Sequence, residues 1–154
     1  PAIWDIGIYP ETEEEYTDLR IAKWTAGNIA KPHKEGDKPR FMALGFYNPH
    51  LPLFAPKKWY DAAPSTKEVI LSATRSDDME DLSPIAKRIA SRVSFQAAAD
   101  WSMETEDNLR TLTQAYLACT SAMDDAMGHV IDALDKSDMA DHTWIVALSD
   151  HGWH

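Results

Sequence analysis

Two short stretches hold side chains suited to chemistry. Ser149-Asp150-His151-Gly152 sets a carboxylate and an imidazole side by side, followed by a glycine that lets the backbone approach a ligand closely. Both side-chain types bind divalent metal ions. Tyr47-Asn48-Pro49-His50-Leu51-Pro52 places a histidine between two prolines. A stiff loop of that kind suits a group that donates a proton or holds an anion. Each stretch also has a plainer reading. Asp150-His151-Gly152 could be a turn that simply leaves a strand, and His50 could be a loop histidine packed on neighbouring aromatics. On pattern alone the packed reading is the stronger for His50.

The other reactive side chains sit in ordinary settings. Cys119 lies on the apolar stripe of a helical pattern between Ala118 and Thr120, where a cysteine is usually inert packing. His33 shares the Pro-His context, but in a polar loop that would enter a strand, at the opposite edge of a sheet from His50; it reads as structural or solvated. His129, Asp124 and Asp125 fall on a helix face, His142 in a turn, and His154 close enough to Asp150-His151-Gly152 to reach the same pocket. There is no phosphate-cradling glycine loop, no Gly-x-Ser-x-Gly elbow and no HExxH pair.

Elements that would position these residues follow from periodicity. Phe41-Met42-Ala43-Leu44-Gly45-Phe46 and Thr143-Trp144-Ile145-Val146-Ala147-Leu148 are short, nearly all-apolar runs, which predict strands buried on both faces of a parallel sheet. If the two strands are parallel, the loops that follow them leave the same sheet edge, where ligands bind in open α/β folds, and His50, Asp150 and His151 converge there. A helix is predicted from about 106 to 136, with Leu109, Leu112, Tyr116, Cys119, Met123, Met127, Val130 and Leu134 at steps of three or four. Another should open after Thr12, which forms a capping-box pattern with Glu15, and carry Tyr16, Leu19, Ala22, Ala26 and Ile29. Short helices are expected near 56–62 and 84–93, with a polar loop at 72–83. The alternation of strand and helix predicts an α/β fold.

The totals narrow the function classes. The 154 residues are enough for one domain with a core, and 44% hydrophobic with 26% charged is globular composition. A formal net charge of -10 argues against nucleic acid as a partner. It also means that an anionic substrate would need a local positive field from a metal or a few basic residues. Cys119 is the single cysteine, so no disulfide forms within the chain. No apolar run reaches the roughly 18 residues of a membrane span. Pro1-Ala2-Ile3-Trp4-Asp5 does not read as a secretion signal. With no initiating Met, and with a patterned strand running into Trp153-His154, both ends read as cuts.

The segments 41–52, Ala55-Pro56-Lys57-Lys58-Trp59-Tyr60, Ala115-Tyr116-Leu117-Ala118, Val130-Ile131-Asp132-Ala133-Leu134 and Ser149-Asp150-His151-Gly152-Trp153-His154 resemble, in order and approximate spacing, the sulfatases of the alkaline-phosphatase superfamily, iduronate-2-sulfatase-like members above all. The likeness covers nearly the whole chain. It implies an α/β sandwich around a large, mostly parallel sheet, of which residues 1–154 would be an internal part of the catalytic domain. It implies a bound divalent cation, usually calcium, and a formylglycine nucleophile made from a cysteine or serine. Asp150 and His151 resemble the late pair of metal ligands. His50 resembles the histidine that contacts the sulfate or assists the leaving oxygen. A sulfated small molecule or carbohydrate is the implied substrate, and a periplasmic or secreted location is implied.

The chain departs from that pattern at three points. Asn48 stands where many relatives carry Lys or Arg. No Cys/Ser-x-Pro-x-Arg motif and no early pair of metal-binding aspartates occurs in these residues. The 154 residues alone are therefore expected to show no turnover. The alternatives are a phosphodiesterase or phosphonate hydrolase of the same superfamily, a metal-binding protein without catalysis, and, if the ends are true ends, a non-catalytic acidic binding module.

Overall fold

In Leu53-Phe54-Ala55 the alternate side chains Leu53 and Ala55 are fully buried. This segment forms strand β2 (Leu53–Ala55) and pairs in parallel with β1 (Ile6–Ile8), Ile6 opposite Leu53 and Ile8 opposite Ala55. This is a computed structural model that describes residues 4–73, 75–90 and 96–152. The ladder extends past both ends, since Leu53 N–H donates to Asp5 O and Tyr9 N–H to Ala55 O.

Five helices occur among the described residues: α1 (Thr17–Ile29), α2 (Lys57–Ala62), α3 (Pro84–Ala90), α4 (Gln96–Glu104) and α5 (Glu106–Asp135). The long helix α5 is the spine, and α1, α2, α4 and both strands pack on it. It begins where expected because Thr105 caps it, its hydroxyl accepting the Asn108 N–H at 3.1 Å. Glu106 and Asp107 then sit in the first turn, complementing the helix dipole. The buried line of α5 runs through Leu112, Ala115, Ala118, Cys119, Ala122 and Ala126. Of the expected stripe Leu112, Cys119 and Leu134 are buried, while Met127 is exposed and Tyr116 only half-buried. Small side chains allow the closest approach of neighbouring backbones, so the alanine line takes the seam and the larger residues flank it.

α1 buries Leu19, Ala22 and Ile29 as its periodicity predicts, with Asp18 and Thr25 on the same face. The capping box does not form. Thr12 precedes a single 3-10 turn at Glu13–Glu15 without a side-chain cap, and α1 starts later, after Tyr16. α2 falls close to its expected place. α3 also does, although the end of its predicted range, 91–93, lies outside the described residues.

The two predicted strands are corrected. Residues 41–46 and 143–148 have no strand pairing. A strand exists through its neighbour's hydrogen bonds, and among the described residues no segment pairs with either run. Their apolar side chains stand in solvent instead: Phe41 is 91% exposed, Trp144 96% and Leu148 85%. The observed strands are three-residue pieces at 6–8 and 53–55, where the sequence pattern predicts none. The chain is nonetheless α/β with parallel pairing. No helix among the described residues is long and apolar enough to cross a membrane.

Candidate functional site

His50 lies in the loop that leads into β2, so it precedes a strand rather than following one. The loop is closed by its own residues. His50 N–H donates to Tyr47 O at 3.1 Å, and the Tyr47 hydroxyl donates to Leu51 O at 2.7 Å while standing 3.1 Å from His50 Nδ1. The Tyr47 and His50 rings lie 5.1 Å apart. His50 Nδ1 is also hydrogen-bonded to Leu51 O. A carbonyl oxygen only accepts, so Nδ1 carries the proton and the ring's lone pair sits on Nε2. In that tautomer Nε2 accepts, as a base requires, whereas contact with an anion requires a proton on Nε2 as well. The imidazole is exposed.

The loop is anchored from below by a residue that the sequence did not single out. Asp18 in α1 is fully buried, and its carboxylate accepts Tyr47 N–H at 2.9 Å, Asn48 N–H at 3.0 Å and Asn48 Nδ2–H at 3.1 Å. One signal was available. Asp18, Ala22, Thr25 and Ile29 share helical spacing, so a carboxylate stands in register with the buried face.

Asp150 and His151 stand together at the other end of the chain, both exposed. His151 N–H donates to Asp150 Oδ1 at 3.0 Å, and Ser149 Oγ donates to His151 O at 2.7 Å. His151 Nδ1 lies 2.7 Å from Gly152 O, which again places the proton on Nδ1 and the lone pair on Nε2. That Nε2 is 3.7 Å from Asp150 Oδ2. Two electron-rich atoms thus face each other across a gap that a proton on His151 or a shared cation would stabilise. Two donors that bind one ion at about 2.4 Å and right angles lie roughly 3.4 Å apart, so the observed spacing fits a pair of neighbouring ligands. The pair is not a complete site, because calcium takes six to eight oxygen ligands. Among the described residues no group of three or more His, Cys, Asp or Glu is placed to hold an ion.

The remaining candidates separate cleanly. Cys119 is fully buried in the core, and burial, with the nearby Asp18 charge adding to it, pushes its thiol up to about 12. At neutral pH it is a protonated packing group. His33 is half-buried, and its N–H donates to Asp138 Oδ2 at 3.3 Å, tying the loop after α1 to the turn after α5. His129 and His142 are exposed, and His154 lies outside the described residues.

Comparison with known proteins decides the family. The Sulfatase family model matches residues 2–154. The chain belongs to the sulfatase family. A sulfatase of Formosa agariphila is 35% identical over 149 residues, covering 97% of this chain and 28% of that protein. Mouse iduronate 2-sulfatase is 34% identical over 127 residues, covering 78% of this chain and 23% of its own length. Choline-sulfatase of Rhizobium meliloti is 30% identical over 150 residues, covering 95% of this chain and 28% of its own length. This sulfatase chain thus spans about a quarter of the relatives it matches. No solved structure matches it. The alkaline-phosphatase-like α/β fold that the family implies agrees with the parallel pairing seen here.

Proposed function

We propose that these residues belong to a sulfuric ester hydrolase in which Asp150 and His151 hold a divalent cation and His50 faces the substrate. The observation that carries this reading is the Asp150–His151 pair, a carboxylate oxygen and an imidazole lone pair 3.7 Å apart at an exposed turn, in a chain of the sulfatase family. A cation there, calcium by family resemblance, supplies positive charge to the oxygens of a sulfate group. The overall charge of -10 makes such a local positive site necessary for an anionic ester. His50, with Nδ1–H donating to Leu51 O, reaches the sulfate or the leaving oxygen through Nε2–H in its imidazolium form.

The nucleophile, a formylglycine made from cysteine or serine, belongs to residues other than these 154, and so do the remaining cation ligands. The exposed runs 41–46 and 143–148, unpaired among the described residues, would become strands of a larger sheet only against segments of polypeptide other than these. Their uncovered Phe41, Trp144, Val146 and Leu148 side chains support this, since contiguous exposed apolar surface marks a contact face. The substrate is a sulfated small molecule or carbohydrate, and the enzyme is exported to the periplasm or outside the cell.

The test uses the full-length protein and an aryl sulfate. Chelation should abolish sulfate release and added calcium should restore it. Asp150→Ala should raise the metal concentration for half-maximal activity by about tenfold or more. Metal content measured on the purified variant should fall in parallel. Turnover indifferent both to chelation and to loss of the Asp150 carboxylate would overturn the assignment.

A further inference from the structure

We propose that Asp18 is the positioning residue for His50, acting through the backbone of Tyr47 and Asn48. The proposal deepens the reading of His50 as the substrate-side histidine and rests on that reading where it concerns turnover. The geometry is explicit. Asp18 is fully buried in the first turn of α1, yet the three hydrogen-bond donors on it all come from the loop that carries His50. A buried carboxylate is stable only when its oxygens are well supplied with donors. Tyr47 N–H, Asn48 N–H and Asn48 Nδ2–H supply them, so carboxylate and loop fix each other.

What Asp18 fixes is the frame of the imidazole. Tyr47 N–H binds Asp18 Oδ1, while the Tyr47 hydroxyl and carbonyl contact Leu51 O and His50 N–H respectively. His50 Nδ1 meets the same Leu51 carbonyl and the Tyr47 hydroxyl. The chain of contacts runs Asp18, Tyr47, Leu51 and His50, and it ends on the atom that sets the tautomer. Loss of the Asp18 carboxylate frees Tyr47, whose ring packs on His50 and whose hydroxyl shares the Leu51 carbonyl with His50 Nδ1. Asp18 itself touches no substrate.

The account assigns Asn48 a structural task. Its side-chain amide supplies the third donor to Asp18. In this chain the position is turned inward to hold the loop.

The test combines imidazole nitrogen spectroscopy with a double-mutant cycle on the full-length protein. In the wild type, the His50 nitrogen-15 shifts should report a single tautomer with the proton on Nδ1. Asp18→Asn keeps the volume but replaces one acceptor oxygen with an amide that donates. It should broaden or shift the His50 signals toward a mixture of tautomers and lower kcat for an aryl sulfate by roughly 10- to 100-fold with KM little changed. In a His50→Ala background the same substitution should change kcat less than about twofold, because the effect passes through His50. Asn48→Ala removes one of the three donors and should give a smaller change in the same direction, which keeps the test decisive if Asp18→Asn folds poorly. Unchanged His50 nitrogen shifts in both variants would overturn the proposal, and so would an equal loss of kcat with and without His50. If the wild type releases no sulfate while the nitrogen shifts respond as described, the positioning stands and the sulfatase assignment of His50 fails instead.

Discussion

Burial sets the protonation of Cys119, Tyr16 and Tyr60. Burial raises all three above their ordinary values, Cys119 to about 12; the Asp18 charge adds to the shift at Cys119 and Tyr16, and Cys119 adds to it at both tyrosines. The sign of the linkage follows. Above about pH 9 the unfolded chain begins to release a thiol proton that the folded chain keeps, and above about pH 10 the same holds for the tyrosines. The stabilisation is complete below pH 9 and is lost as pH climbs through the folded values. Thermal melts should therefore show a falling midpoint from pH 9 upward, shallower in Cys119→Ala. Cys119 should also resist a thiol reagent at pH 8 until the chain unfolds, whereas rapid labelling of the native protein would contradict its burial. At this scale the sequence was partly legible. Asp150, His151 and His50 stand out because polar groups end apolar runs. Asp18 does not, because its meaning lies in partners 29 and 30 residues away that sequence spacing does not reveal.

Helix α5 was the most legible element, since a 30-residue amphipathic pattern leaves little choice of conformation. What the pattern concealed was which line of that helix makes the contact. Hydrophobicity ranks Leu and Met above Ala, but close approach favours Ala, and the seam follows Ala115, Ala118, Ala122 and Ala126. Ala118→Leu should accordingly destabilise by about 1–3 kcal/mol through overpacking, measured as a shift in denaturant midpoint. Met127→Leu, on the exposed flank, should change it by less than about 0.5 kcal/mol. The strands were least legible. β1 and β2 are three residues each, too short for a period of two to show. The apolar runs 41–46 and 143–148 carry the composition of buried strands without a neighbour in these residues to pair with.

At the scale of the whole molecule, a packed half and an uncovered half coexist. Tyr16, Leu19, Leu53, Trp59 and the α5 seam form one closed core, while Phe41, Ile70, Trp144, Val146 and Leu148 remain in solvent. The 154 residues produced alone should therefore bind a hydrophobic dye and self-associate despite the charge of -10. A full-length protein should do neither, and a monomeric, dye-silent chain of 154 residues would show that the exposed runs need no cover. Family membership follows from the match over residues 2–154, while the proposed chemistry assigns roles to Asp150, His151 and His50. The direct measurement of that chemistry is the ratio of kcat/KM for matched aryl sulfate, phosphate diester and phosphonate ester substrates on the full-length protein with calcium. The account predicts sulfate preferred by at least about 100-fold, a difference of roughly 2.7 kcal/mol in transition-state binding. A preference for either phosphorus ester would contradict it.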